Sequence, residues 1–126
     1  MAFSVLVVDD EPNIVQSLEF LMNAAGFEVR VAADGDRALQ AVEAKVPDLV
    51  LLDVMIPGRD GYEVCRAIRA NEAWRDVRII MLTARGRESE RDRGIELGAD
   101  EYITKPFSTR DLVERVKLYA AEAGAA

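Results

Sequence analysis

Five short apolar runs punctuate the chain: Phe3 to Val8, Phe27 to Ala32, Leu49 to Leu52, Val77 to Leu82, and Tyr102 to Ile103. Each is short enough for a strand, and apart from Phe27 to Ala32, where Glu28 and Arg30 intervene, their apolar residues are largely continuous rather than alternating, as in strands covered on both faces. Between the runs the apolar spacing lengthens to that of a helix. Ile14, Leu18, Leu21, Met22 and Ala25 share one stripe, with Pro12 suited to the first helical turn and Gly26 to the end. A second helix starts near Asp34, carries Ala38, Leu39 and Val42, and stops before Pro47. A third starts about Asp60 and carries Val64, Cys65 and Ile68. The segment Arg85 to Leu97 is nearly all charged, with Ile95 and Leu97 its only large apolar residues and Gly94 inside it, so a helix there docks weakly. Ser108 with Asp111 fits a capping box for the last helix, whose apolar side is Leu112, Val116 and Tyr119.

The resulting order is β-α five times over, which predicts an α/β fold with a parallel sheet covered by helices on both faces. The 126 residues are enough for one domain spanning 1–126 and too few for two. The Ala/Gly-rich stretch after Tyr119, about 120–126, is expected to fray. Half of the residues are apolar, which argues against disorder. The 23 acidic and 16 basic side chains give a formal charge of -7, which repels phosphates and argues against direct nucleic-acid binding. The chain shows no signal-peptide pattern and no apolar run of the roughly 18 to 20 residues that a membrane helix needs. A cytoplasmic location is the expectation. The lone Cys65 cannot form an internal disulfide and reads as a small core residue. Trp74 reads as a cover on the edge of the core beside the third helix.

An open parallel sheet binds ligands beyond the carboxyl ends of its strands. Asp9 and Asp10 follow the first strand, Asp53 the third, Thr83 the fourth and Lys105 the fifth. Residues from opposite ends of the chain therefore meet on one edge. Three carboxylates gathered there repel one another unless a cation joins them. With no histidine and no second cysteine in the chain, the donors are oxygens and suit a hard ion such as Mg²⁺ better than zinc. Such an ion uses one or two carboxylates, which leaves one free to react. A carboxylate that attacks phosphorus gives an acyl phosphate, and a lysine, a hydroxyl and a metal can share the charge developing on the phosphoryl oxygens. Each residue also has a plainer reading. A DDE ahead of a helix is a charge cluster favoured by the helix dipole, Thr83 a strand-end β-branched residue, Lys105 a solvated charge, and Tyr102 a half-buried strand aromatic.

Taken together, VLVVDDEPN, LVLLDVMIPGRDGYE, MLTAR and GADEYITKPFS resemble the receiver domain of bacterial two-component response regulators, in order and spacing over essentially the whole chain. The resemblance implies a doubly wound, flavodoxin-like (βα)5 sheet of strand order 2-1-3-4-5. It implies that Asp53 accepts a phosphoryl group from a sensor histidine kinase or a histidine phosphotransfer protein. Mg²⁺, or Mn²⁺ in its place, would be bound by the side chains of Asp10 and Asp53, by the backbone carbonyl of Met55, and by Asp9 through water. Lys105 would pair with the phosphoryl group, Thr83 would move to hydrogen-bond it, Tyr102 would be the rotating aromatic of the switch, and the Lys105-Pro106 bond would be cis. The chain would then be no enzyme but an acceptor that assists its own phosphorylation and dephosphorylation.

The output face would comprise the fourth helix, the fifth strand and the fifth helix. Arg91, Glu96, Glu101, Asp111, Arg115 and Lys117 there resemble the dimer face of receivers joined to winged-helix domains, with Ile95 and Val113 as an apolar centre. The alternative for that face is a solvated surface laced with ion pairs. The alternatives for the chain are a pseudo-receiver or protein-interaction module working without phosphorylation, and an aspartyl phosphatase, for which no cap insertion is present.

Overall fold

The five apolar runs form strands β1 (Ser4–Val8), β2 (Glu28–Ala32), β3 (Leu49–Asp53), β4 (Arg78–Thr83) and β5 (Glu101–Thr104). They alternate with helices α1 (Pro12–Ala24), α2 (Gly35–Ala44), α3 (Gly61–Ala70), α4 (Glu88–Glu96) and α5 (Thr109–Glu122). This computed structural model describes residues 2–83 and 88–124, the side chains of 88–91 excepted. All strand pairs are parallel, in the order β2-β1-β3-β4-β5.

Alternate residues of each strand point to opposite faces. Leu6, Val8, Val50, Leu52, Ile79 and Met81 pack with Ala38 and Val42 of α2 and with Val64, Cys65 and Ile68 of α3. Val5, Val7, Leu49, Leu51, Ile80 and Leu82 pack with Leu18 and Met22 of α1 and with Leu112, Val116 and Ala120 of α5. Two helix layers on one sheet leave no solvated strand face at the centre, so the central strands are apolar throughout.

The helix starts are set by local chemistry. Pro12 occupies the first turn of α1. Asp34 and Asp60 cap α2 and α3 by accepting from the amides of Arg37 and Glu63 at 2.7 and 2.9 Å. Ser108 caps α5, its hydroxyl accepting from the amide of Asp111 at 3.2 Å. Gly26 ends α1 with φ at 89°, a conformation that glycine adopts without strain. Cys65 is buried, its thiol pushed up to about 11 by desolvation, and Trp74 packs against the α3 side of the core.

Two expectations change, and a third lies partly outside the described residues. Helix α5 continues through Glu122 with Ala120 buried, so any tail begins later than residue 120. An alanine that fills core space holds the helix together where composition alone suggests fraying. Val113 is only 5% exposed and belongs to the core beside α1. It sits next to Leu112 and one turn from Val116 on the buried stripe, so it is no apolar centre for an outer face. Leu118, 62% exposed, is on the outer side instead. The fourth helix, expected from Arg85, is described from Glu88 onward, and residues 84–87 lie outside the described residues, as does the side chain of Arg91. Among the described residues, no helix is long and apolar enough to cross a membrane.

Candidate functional site

The strand register brings the chemistry together. Val8 lies opposite Leu52, Asp53 opposite Leu82, and Thr83 opposite Thr104. The strands therefore end nearly flush, and the residues just past β1, at the end of β3 and β4, and just past β5 share one edge.

Asp9 and Asp53 are 1% and 3% exposed, and Asp10 beside them is exposed. One carboxylate oxygen of each of the three lies within 4.8 Å of the others. The two buried carboxylates are held alike. Asp9 Oδ1 accepts from the amide of Glu11 at 2.9 Å, and Asp53 Oδ1 accepts from the amide of Met55 at 3.1 Å. Their other oxygens face Lys105, whose Nζ donates to Asp9 Oδ2 at 3.1 Å and to Asp53 Oδ2 at 3.2 Å. Glu11 Oε1 accepts from the same ammonium at 3.0 Å.

Burying two carboxylates side by side is costly unless a cation compensates. Desolvation, with the negative charge of Asp53 adding to it, raises the pKa of Asp9 above its ordinary value, although the Glu11 amide and Lys105 oppose this. For Lys105 the balance is reversed. Burial disfavours its charge, but the bonds to Glu11 and Asp9 and the attraction of Asp53 outweigh it and raise its pKa. The lysine is firmly cationic.

The backbone around it is equally constrained. The amide of Lys105 donates to the Thr83 carbonyl at 2.5 Å, and the Lys105-Pro106 bond is cis. Under Asp53, the amide of Gly61 donates to the Val54 carbonyl at 3.0 Å.

The remaining candidates surround this centre. Thr83 is buried at the end of β4. Tyr102 is paired with Met81 across β4 and β5, and its ring lies against Gly94 of α4, where an added Cβ would meet it at 3.3 Å. Met55 is an exposed residue at the rim.

Several contributors escaped the sequence reading. Glu11 stood in the quoted DDE but had no role, because a side chain's reach across to another loop leaves no local signal. Gly61, inside the quoted LVLLDVMIPGRDGYE, had no role in it either. Away from the site, at the opposite edge of the sheet, Arg69 of α3 clamps the turn before β5, with Nε donating to the Gly98 carbonyl at 2.8 Å and Nη2 to Asp100 Oδ2 at 3.0 Å. Asp100 in turn accepts from the amide of Ile79 at 2.8 Å.

With this geometry in view, the comparisons with known proteins are specific. The family model for the response regulator receiver domain matches residues 5–117. A candidate response regulator from Chloroflexus aurantiacus J-10-fl is 40% identical, with a TM-score of 0.88 over 96% of this chain and 99% of that one. The beryllofluoride-activated receiver domain of RstA from Klebsiella pneumoniae is 31% identical, with a TM-score of 0.83 over 92% of this chain and 97% of its own. A CheY-like receiver domain protein from Methanospirillum hungatei JF-1 is 29% identical, with a TM-score of 0.89 over 97% of this chain and 96% of its own. The chain belongs to the receiver domain family of response regulators. Its five-stranded parallel sheet has the flavodoxin-like order of that family.

Proposed function

We propose that this domain receives a signal as a phosphoryl group on Asp53, donated by a histidine kinase or a histidine phosphotransfer protein. The observation that carries this reading is a buried carboxylate, 3% exposed, with one oxygen 3.2 Å from a lysine ammonium and two further aspartates beside it. An oxygen of Asp53 attacks phosphorus, and the new O–P bond forms as the N–P bond of the donor phosphohistidine breaks. The leaving imidazole takes the electron pair. Lys105 then turns from the carboxylates to the phosphoryl oxygens, where its charge offsets the negative charge that accumulates in transfer.

Receiver domains generally bind Mg²⁺ through an acidic pocket, and the donors here fit. They are all hard oxygens, gathered within one ion's reach. Asp10 and Asp53 would hold the ion, with Asp9 behind them and the Met55 carbonyl at the rim. When bound, it neutralises phosphoryl charge alongside Lys105. The reading is tested by incubation with acetyl phosphate and Mg²⁺ followed by intact mass measurement. A single phosphoryl adduct on Asp53 is expected, and its absence overturns the proposal.

The metal makes its own prediction. An ion that binds only the folded state stabilises it by mass action, about 1.4 kcal/mol at ten times its Kd. That corresponds to roughly 5 °C in Tm for a domain of this size. Asp10→Ala is expected to remain folded, since Asp10 is exposed, and to lose the rise. An undiminished response to Mg²⁺ in that variant would exclude Asp10 as a ligand.

The output is proposed to leave through α4, β5 and α5. Helix α4 is largely polar, and Gly94 lets it lie close over Tyr102. A segment with little buried apolar surface shifts at low cost, and Thr83 ends the strand that precedes it. On this face Arg115 pairs with Glu101 at 3.4 Å within one molecule, whereas Lys117, expected here, pairs with Glu114 at 3.1 Å on the other side of α5, beside Leu21 and Ala24 of α1, and is no part of it. Ile95 and Leu118 stand exposed nearby. Phosphorylation is proposed to favour a two-fold dimer in which Arg115 and Glu101 exchange partners across the axis. Sedimentation with beryllofluoride and Mg²⁺ is expected to show a dimer that Arg115→Glu weakens by at least about tenfold in Kd, from several charged contacts of up to about 1 kcal/mol each. A dimer indifferent to that reversal argues against this face.

A further inference from the structure

We propose that Glu11 is a positioning residue that tethers Lys105 at the rim of the pocket and thereby slows phosphoryl transfer to Asp53. The proposal rests on Asp53 being the acceptor. An ammonium has three N–H donors, and Lys105 directs its Nζ at three carboxylates, on Asp9, Glu11 and Asp53, at 3.1, 3.0 and 3.2 Å. Its donor capacity is filled. For Lys105 to bond a phosphoryl oxygen, one of these three bonds must break.

The three acceptors differ in kind. Asp9 and Asp53 are fixed in place, each with its second oxygen on a backbone amide. The Glu11 side chain is 56% exposed and flexible, so it can follow the ammonium and compete with an incoming phosphoryl oxygen. Its position at the start of α1 supports the same conclusion. Glu11 is the N-cap residue of α1, yet its carboxylate makes no capping bond and reaches Lys105 instead. The backbone there is pinned by the bond from its amide to Asp9 Oδ1, which aims the side chain across the mouth of the site. Glutamate is a poor N-cap, whereas aspartate is among the best.

That contrast supplies the test. Glu11→Gln removes the charge and weakens the tether. Glu11→Asp keeps the charge but is one methylene shorter and favours capping α1. With acetyl phosphate at saturating Mg²⁺, both variants are expected to phosphorylate about threefold faster than the unaltered protein, the size of an exposed ion pair. A second measurement needs no metal. Acylation of Lys105 by acetic anhydride, followed by peptide mass mapping against Lys45, is expected to speed up in both variants as the ammonium is released.

Unchanged or slower phosphorylation in both variants overturns the proposal. So does acceleration by Glu11→Gln alone with Glu11→Asp like the unaltered protein, which would show that the carboxylate merely repels the anionic donor. If the unaltered protein takes up no phosphoryl group at all, it is the acceptor reading that has failed, and the tether to Lys105 is overturned only if acylation is also unchanged.

Discussion

Asp53→Asn is expected to abolish phosphoryl uptake from acetyl phosphate while leaving a folded domain. The amide is nearly the same shape, and its oxygen can still accept from the Met55 amide, which bonds Asp53 Oδ1 at 3.1 Å. It cannot act as the attacking carboxylate, so the rate should fall by more than about a thousandfold, as when other covalent nucleophiles are removed. Intact mass spectrometry reads this directly. Robust phosphorylation of the variant would mean that another residue is the acceptor.

The same substitution has a signature in metal-free stability. Asp9 holds its proton more tightly in the folded protein than its ordinary value of 3.8, first through burial and further through the charge of Asp53. A carboxyl with a raised folded pKa binds more protons folded than unfolded in the window above that ordinary value. Its contribution to stability therefore declines as pH rises through the window. Replacing Asp53 with a neutral side chain removes the smaller of these two causes, so urea midpoints should decline less steeply with pH in the variant. An equal or steeper decline would show that Asp53 does not act on Asp9.

Gly61→Ala is expected to cost about 3 kcal/mol of stability, the upper end of the usual penalty for overpacking. A Cβ at this position would meet the Asp53 carbonyl oxygen at 2.5 Å and Val54 Cα at 2.8 Å. Both are backbone atoms at the end of β3 and cannot swing aside. Alanine is the better helix former by only about 1 kcal/mol, so the clash decides the sign. Since the strand end that must move carries Asp53, phosphoryl uptake should fall along with the urea midpoint. A variant as stable as the parent would show that β3 and α3 separate without cost.

Much of this molecule was legible in the chain because it depends on local order. The apolar runs gave the strands to within a residue or so; those of the central strands β1, β3 and β4 are nearly continuous because helices cover both faces there, whereas Glu28 and Arg30 interrupt the run at the edge strand β2. Pro12, Asp34, Asp60 and Ser108 marked helix starts, because the unpaired amides of a first turn are satisfied by neighbours in sequence. The carboxylates and Lys105 could be placed on one edge from the fact that every strand of a parallel sheet points the same way. Val113 was misplaced because neighbours on a helix differ by about 100° in facing, and only the packing of α5 against α1 shows which stripe is buried.

What the sequence determined by itself was a βα repeat with oxygen donors and one lysine at its carboxyl edge, since polarity pattern and strand direction are properties of short segments. What only the tertiary structure decided was how those groups share their bonds. The Glu11 carboxylate on Lys105 and Arg69 on the Gly98 carbonyl join residues far apart in the chain, and the backbone of Asp53 meets Gly61 across the loop from β3 to α3. Such contacts are fixed by distances of a few ångströms between separate elements, and spacing along the sequence carries no record of them.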